Sequence, residues 1–200
     1  MYKQHNSMIN RNYFDYKEVI GDFKKVIVTG PHGSGNKITA YIIRDDFGLT
    51  HTRGEERTIL PEDFKQTLLD ENDNDYVMFC PTCSGHLHLY PELLEDVLVI
   101  FMYKDIEEIK SYRIRNGIWD SLNKLEGEIY QRVIDEDGID LNLEDGLEET
   151  TYKLWETHQR EVVPNWIEIE HSSLKDHPKW IDKSKRKDFK EWQTEIGEKP

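Results

Sequence analysis

The residues best suited to chemistry stand together at positions 26–37, VIVTGPHGSGNK, where three glycines, a serine, an asparagine and a lysine follow directly on an apolar run. Gly30, Gly33 and Gly35 let a backbone turn tightly and aim successive N–H groups at one anion. A helix opening behind them adds the positive end of its dipole. The chemistry this points to is the binding of a phosphate or a similar oxyanion.

A nucleoside-triphosphate loop of the form G-x-x-x-x-G-K-[S/T] uses its lysine to bridge phosphates and its hydroxyl to hold magnesium. Gly30 and Gly35 keep that separation, but Asn36 takes the lysine place and Lys37 the hydroxyl place. Moving the lysine by one residue turns it by roughly 100° around the following helix, so Lys37 does not replace it directly. No aspartate closes the apolar run at 76–80 as a second metal ligand would. Ordinary magnesium-dependent hydrolysis of ATP or GTP is therefore disfavoured, and no metal is expected at the loop.

Two other constellations have ligand-type side chains. Cys80, Cys83, His86 and His88 lie within nine residues, yet zinc sites draw their second pair from further along the chain, and a reduced cysteine ending a buried strand packs as a small apolar group. The acidic run 135–145 lacks the glycine position and the closing glutamate of a calcium loop, so it reads as a solvated loop.

Elements that would position the glycine loop follow from periodicity. Lys25–Thr29 is a β-branched run fit for a buried parallel strand, and Asn36–Phe47 is the helix after it. Residues 49–61 have no period and read as a loop, and Pro61 starts a helix through Leu69 with Phe64, Leu68 and Leu69 inward. Runs 76–80 and 96–103 are continuously apolar, as central strands flanking or adjoining the first one would be. Helices are expected over 106–116, 119–134 and 147–163, and a late strand over Trp166–Glu170. Trp155, Trp166, Trp180 and Trp192 read as core or half-buried anchors. The expected fold is α/β, a P-loop-type three-layer sandwich with a central mainly parallel sheet of three or four strands. Residues 1–23 form a loosely attached N-terminal arm, and 24–200 a single domain.

Composition sets limits on partners. The 200 residues hold 26 Lys and Arg against 40 Asp and Glu, a net charge of −14, which repels polyanions and argues against general nucleic-acid binding. No stretch reaches the length of a membrane span or has the apolar centre of a signal peptide, and the two cysteines imply no disulfide framework. The chain reads as cytoplasmic, with its oligomeric state open.

The segment GSGNKITA resembles the 5′-phosphosulfate-binding loop of sulfotransferases, Ser-Gly-Thr-Thr and a hydrophobic residue, with Ser34, Gly35, Asn36, Lys37 and Ile38 in those places. VLVIFMYKDIEEIKSY is similar to that family's strand followed by a cation and a serine. WIEIEHSSLKDHP is similar to its late strand and turn, and RKDFKEW to its C-terminal basic segment. The likeness runs in order over about residues 24–195. It implies a 3′-phosphoadenosine-5′-phosphosulfate co-substrate held by Gly30, Gly33 and Ser34 to Ile38, with Lys37 as the cation at the transferred group. It further implies Lys104, Ser111 and Arg186 on the 3′-phosphate, and a base drawn from His51, Glu55, Glu56 and His86. The acceptor would be a small molecule or glycan bearing a hydroxyl or amine. Two other readings stand beside it: a P-loop nucleoside or nucleotide kinase with a divergent loop, and a degenerate P-loop module without catalysis.

Overall fold

The computed structural model describes residues 11–52, 60–115 and 119–180. Five strands form one sheet: β1 (Lys25–Thr29), β2 (Thr50–Thr52), β3 (Tyr76–Phe79), β4 (Val97–Tyr103) and β5 (Trp166–Glu170). Their spatial order is β2-β3-β1-β4-β5, and every pairing is parallel. The chain leaves β1 for one side of the sheet, then crosses to the other for β4 and β5. The strand order therefore reverses at β1, and in open α/β sheets ligands settle at the carboxyl end of such a switch point.

The central strands are buried on both faces because they carry side chains that cannot face water on either. Val26 and Val28 of β1, with Leu98, Ile100 and Met102 of β4, pack on Ala40, Ile42 and Ile43. Those three belong to α2 (Asn36–Phe47), which follows the short α1 (Lys17–Gly21). Ile27, Val99 and Phe101 point the opposite way, onto Phe64 and Leu68 of α3 (Pro61–Asp70) and onto Trp155. Alternation along parallel strands thus makes three layers, as expected from the sequence.

Helices α4 (Ile106–Arg115), α5 (Trp119–Asp137) and α6 (Leu147–Leu154) fill the connection between β4 and β5, and a π-helical turn at Trp155–Gln159 runs into α7 (Arg160–Val162). Several expectations need correction. β2 adds a fifth strand inside the stretch read as a loop; it is only three residues long and sits at the sheet edge, too short to show a period. The single helix expected over 147–163 is interrupted by the π turn. Leu69, expected inward, is 48% exposed, because α3 presents Phe64 and Leu68 to the sheet.

Within residues 1–23, expected to form a loosely attached arm, the described residues from 11 onward pack on the domain. Tyr13, Tyr16 and Ile20 are buried in the same core as β1 and α2, and Tyr13 donates its hydroxyl to Asp46 at 2.8 Å. Aromatic residues without clear period hid a short 3-10 turn and α1.

Candidate functional site

The loop between β1 and α2 lies at the reversal of strand order. Gly30, Gly33 and Gly35 all have positive φ, at 128°, 100° and 101°. At Gly30 a Cβ would come within 2.8 Å of the Met102 carbonyl oxygen on β4. At Gly35 it would meet the His171 ring at 2.3 Å. Any side chain at either position would have to displace its neighbour as well as adopt a strained backbone.

The Ser34 N–H donates to the Pro31 carbonyl at 3.0 Å, closing a turn. Asn36, only 3% exposed, donates its amide to the carbonyls of Gly30 at 3.2 Å and Pro31 at 3.3 Å. Its carbonyl oxygen accepts from the Ser34 hydroxyl at 3.3 Å. Ser34 and Asn36, expected to hold an anion, instead turn their side chains inward, where they brace the loop on itself. What the loop offers a ligand is backbone. The N-terminus of α2 has no side-chain cap and no acidic residue in its first turn, and the first amides of any helix lack an intrahelical partner. Gly35, Asn36, Lys37 and Ile38 thus occupy the turn where an anion gains most from N–H groups and dipole.

The Lys37 ammonium swings toward the β3 side, 5.8 Å from the centre of the Phe79 ring. Phe79 ends β3 at the same sheet edge. Lys37 therefore supplies a cation beside the loop from the position where a metal-binding hydroxyl would stand.

Behind the loop lies a buried ion pair. Arg113 of α4 donates through Nε to the His32 carbonyl at 3.0 Å, and its Nη1 meets Glu148 of α6 at 2.9 Å, with the two side chains 1% and 2% exposed. Burial, helped by the Arg113 charge, lowers the His32 pKa from 6.5 to about 4, so the imidazole is neutral near pH 7. Tyr112 covers Gly33 from the same helix, its ring carbon 3.0 Å from where a Cβ would stand. His171, directly after β5, lies against Gly35, with its ring 4.7 Å from that of Trp180.

The remaining candidates among the described residues stand on separate elements. Lys104, at the end of β4, pairs with Glu108 at 3.7 Å, and burial lowers its pKa despite that partner. Ser111 is exposed on α4. His51 belongs to β2, while Glu55, Glu56 and Arg186 lie outside the described residues. His86 is 1% exposed, with its ring 6.3 Å from Phe64, a core histidine rather than a base facing a ligand.

Cys80 and Cys83 are buried free thiols, and the Cys83 sulfur donates to the Cys80 carbonyl at 3.0 Å. Burial holds the Cys83 thiol far above its usual pKa, so it is not a thiolate. Among the described residues, no group of three or more His, Cys, Asp or Glu side chains is arranged to hold a metal ion, and no helix is long and apolar enough to cross a membrane.

Arg113, Glu148 and His171 escape a reading of motifs. A signal for Arg113 exists: it stands four residues after Ile109 on α4, both buried, so a charge occupies a core-facing helical position. Glu148 and His171 have no comparable signal, since nothing local says which helix or loop will meet them.

The site belongs to an α/β domain with a P-loop-type strand–loop–helix unit at its switch point. No protein-family model matches the chain, and no curated protein matches it in sequence. Among solved structures, it is similar to a shikimate kinase from Acinetobacter baumannii in complex with shikimate, at 13% identity and a TM-score of 0.40, over 70% of this chain and 95% of that one.

Proposed function

We propose that the chain is a nucleotide-binding transferase of P-loop type that grips an oxyanion through the backbone of its β1–α2 loop, without a divalent metal. The observation carrying this reading is the exchange of roles at two adjacent residues. Asn36, in the lysine place, is spent bracing Gly30 and Pro31, and Lys37, in the hydroxyl place, brings a cation instead of a metal ligand.

Sulfuryl transfer from 3′-phosphoadenosine-5′-phosphosulfate fits these parts, because negative charge gathers on the leaving phosphate oxygen and loop amides with one ammonium can stabilise it. The acceptor is a hydroxyl or amine. The kinase reading rests on the retained Gly30 to Gly35 spacing, and it needs magnesium held where Lys37 now stands.

Calorimetric titration separates the two. Adenosine 3′,5′-bisphosphate is expected to bind in the presence of a metal chelator, and Lys37→Ala to weaken it by about tenfold, the worth of one charge-assisted contact. Binding of ATP only with magnesium would move the assignment to a kinase. Absence of both would leave a P-loop module that does not bind a nucleotide.

A further inference from the structure

A shallow, open concavity lies at the carboxyl edge of the sheet, at the ends of β4 and β5. Its volume is about 460 Å³, and Arg11, Tyr103, Lys104, Asp105, Tyr152 and Glu170 line it. That size suits a small organic ligand, and the carboxyl ends of parallel strands are where such ligands bind. One wall is aromatic: the Tyr103 and Tyr152 rings stack at 4.9 Å and 5°.

The charges of this cavity are not equivalent. The Arg11 guanidinium lies 3.4 Å over the Tyr103 ring, and its Nε is bonded to the buried Glu168 at 2.9 Å. Lys104 has Glu108. Both cations therefore already face a carboxylate. Asp105 caps α4 by accepting the Glu108 N–H at 3.0 Å, and Glu107, also on the rim, pairs with Lys110 at 3.5 Å.

Glu170 differs from these groups. Its backbone N–H is tied to the Arg11 carbonyl at 2.7 Å, but its carboxylate makes no ion pair among the described residues. Burial pushes its pKa up and Glu108 and Asp105 add to the rise, while Arg11 and, more weakly, Lys175 pull the other way. A carboxylate in that position gains from an incoming cation, because the cation compensates for lost water and for the neighbouring acids. An incoming anion would face the Glu170 carboxylate, while the two cations that line the site already have partners.

We propose that this cavity binds a small primary amine, held as its ammonium ion by Glu170 and sheltered by the stacked Tyr103 and Tyr152. The site is defined by its own geometry and stands independently of nucleotide binding at the β1–α2 loop.

The test is calorimetric titration of the full chain at neutral pH with benzylamine, benzyl alcohol and benzoate. Benzylamine is expected to bind, with the alcohol and the carboxylate at least about tenfold weaker, as one desolvated charge-assisted contact requires. Glu170→Gln, which keeps shape and breaks no ion pair, is expected to lose benzylamine binding by a similar factor, and Glu170→Asp to keep part of it. Equal binding of the alcohol, tighter binding of benzoate, unchanged affinity in Glu170→Gln, or no heat from benzylamine would each overturn the proposal. Adenosine 3′,5′-bisphosphate titrated into the same samples reads the loop separately, so loss of one result leaves the other standing.

Discussion

At the scale of single residues, the β1–α2 loop is held by contacts that charge can disturb, and His32 is the titrating member. Its folded pKa is about 4, lowered first by burial and then by Arg113, while an unfolded histidine titrates near 6.5. Between those values the unfolded chain binds more protons than the folded one. Stability is therefore complete above about pH 6.5 and falls as pH drops toward 4. The loss from this residue alone is at most about 3 kcal/mol. Denaturant unfolding of wild type and His32→Gln across pH 4 to 7 checks it: the variant is expected to flatten the slope in that window. Parallel curves would show that the imidazole is not neutralised by folding.

At the scale of elements, α4 and α6 are coupled to the loop through Arg113 and Glu148. Removing one partner of a buried pair leaves the other charge without compensation, whereas replacing both with apolar groups restores most of the loss. Glu148→Gln or Arg113→Met is thus expected to destabilise the fold by about 3 kcal/mol or more. The double replacement Arg113→Met with Glu148→Leu should recover much of that, read as midpoints of urea unfolding in a double-mutant cycle. Additive losses would mean that the two side chains act separately. This pair also marks where sequence stopped being informative. Lys25–Thr29 and Asn36–Phe47 have the ends that their period and flanking glycines dictate, and Trp166–Glu170 those of its apolar alternation after Pro164, and the glycine loop announces itself through its own composition. β2 takes its shape from pairing with β3, and the π turn within 147–163 opens at Trp155, whose ring stacks on Phe101 at 4.5 Å. Those are contacts between distant segments. The meeting of Glu170 with Arg11 is likewise set by tertiary neighbours, whereas Ser34 and Asn36 turn inward onto their own loop.

At the scale of the whole molecule, two distant stretches close on one carboxylate near the C-terminal end of α2. Asp46 accepts from the Tyr13 hydroxyl at 2.8 Å and from Lys17 at 2.9 Å, and His177 lies 3.3 Å away. The segments before β1 and after β5 are thereby fastened to the helix that opens at the glycine loop. Burial alone would raise the Asp46 pKa, but the hydrogen bonds of Lys17 and Tyr13, with the charges of His177 and Lys17, outweigh it and hold the carboxyl below its usual value. A depressed carboxylate stabilises the fold above its unfolded pKa, and that gain is lost as pH falls through the lower folded value. Asp46→Asn is expected to cost about 1–3 kcal/mol at neutral pH and to converge with wild type in acid, below the range of an ordinary aspartate. Hydrogen exchange supplies the spatial check. Amides of residues 13–21 and 171–180 should lose protection together in the variant, while β1 and β4 keep theirs, since both segments meet at Asp46 and the central strands do not. If only one segment loosened, Asp46 would be a local partner rather than the point where both are tied to α2. The segment containing His171 packs on Gly35. Loosening it should therefore also weaken anion binding at the loop without any change in the loop's own residues.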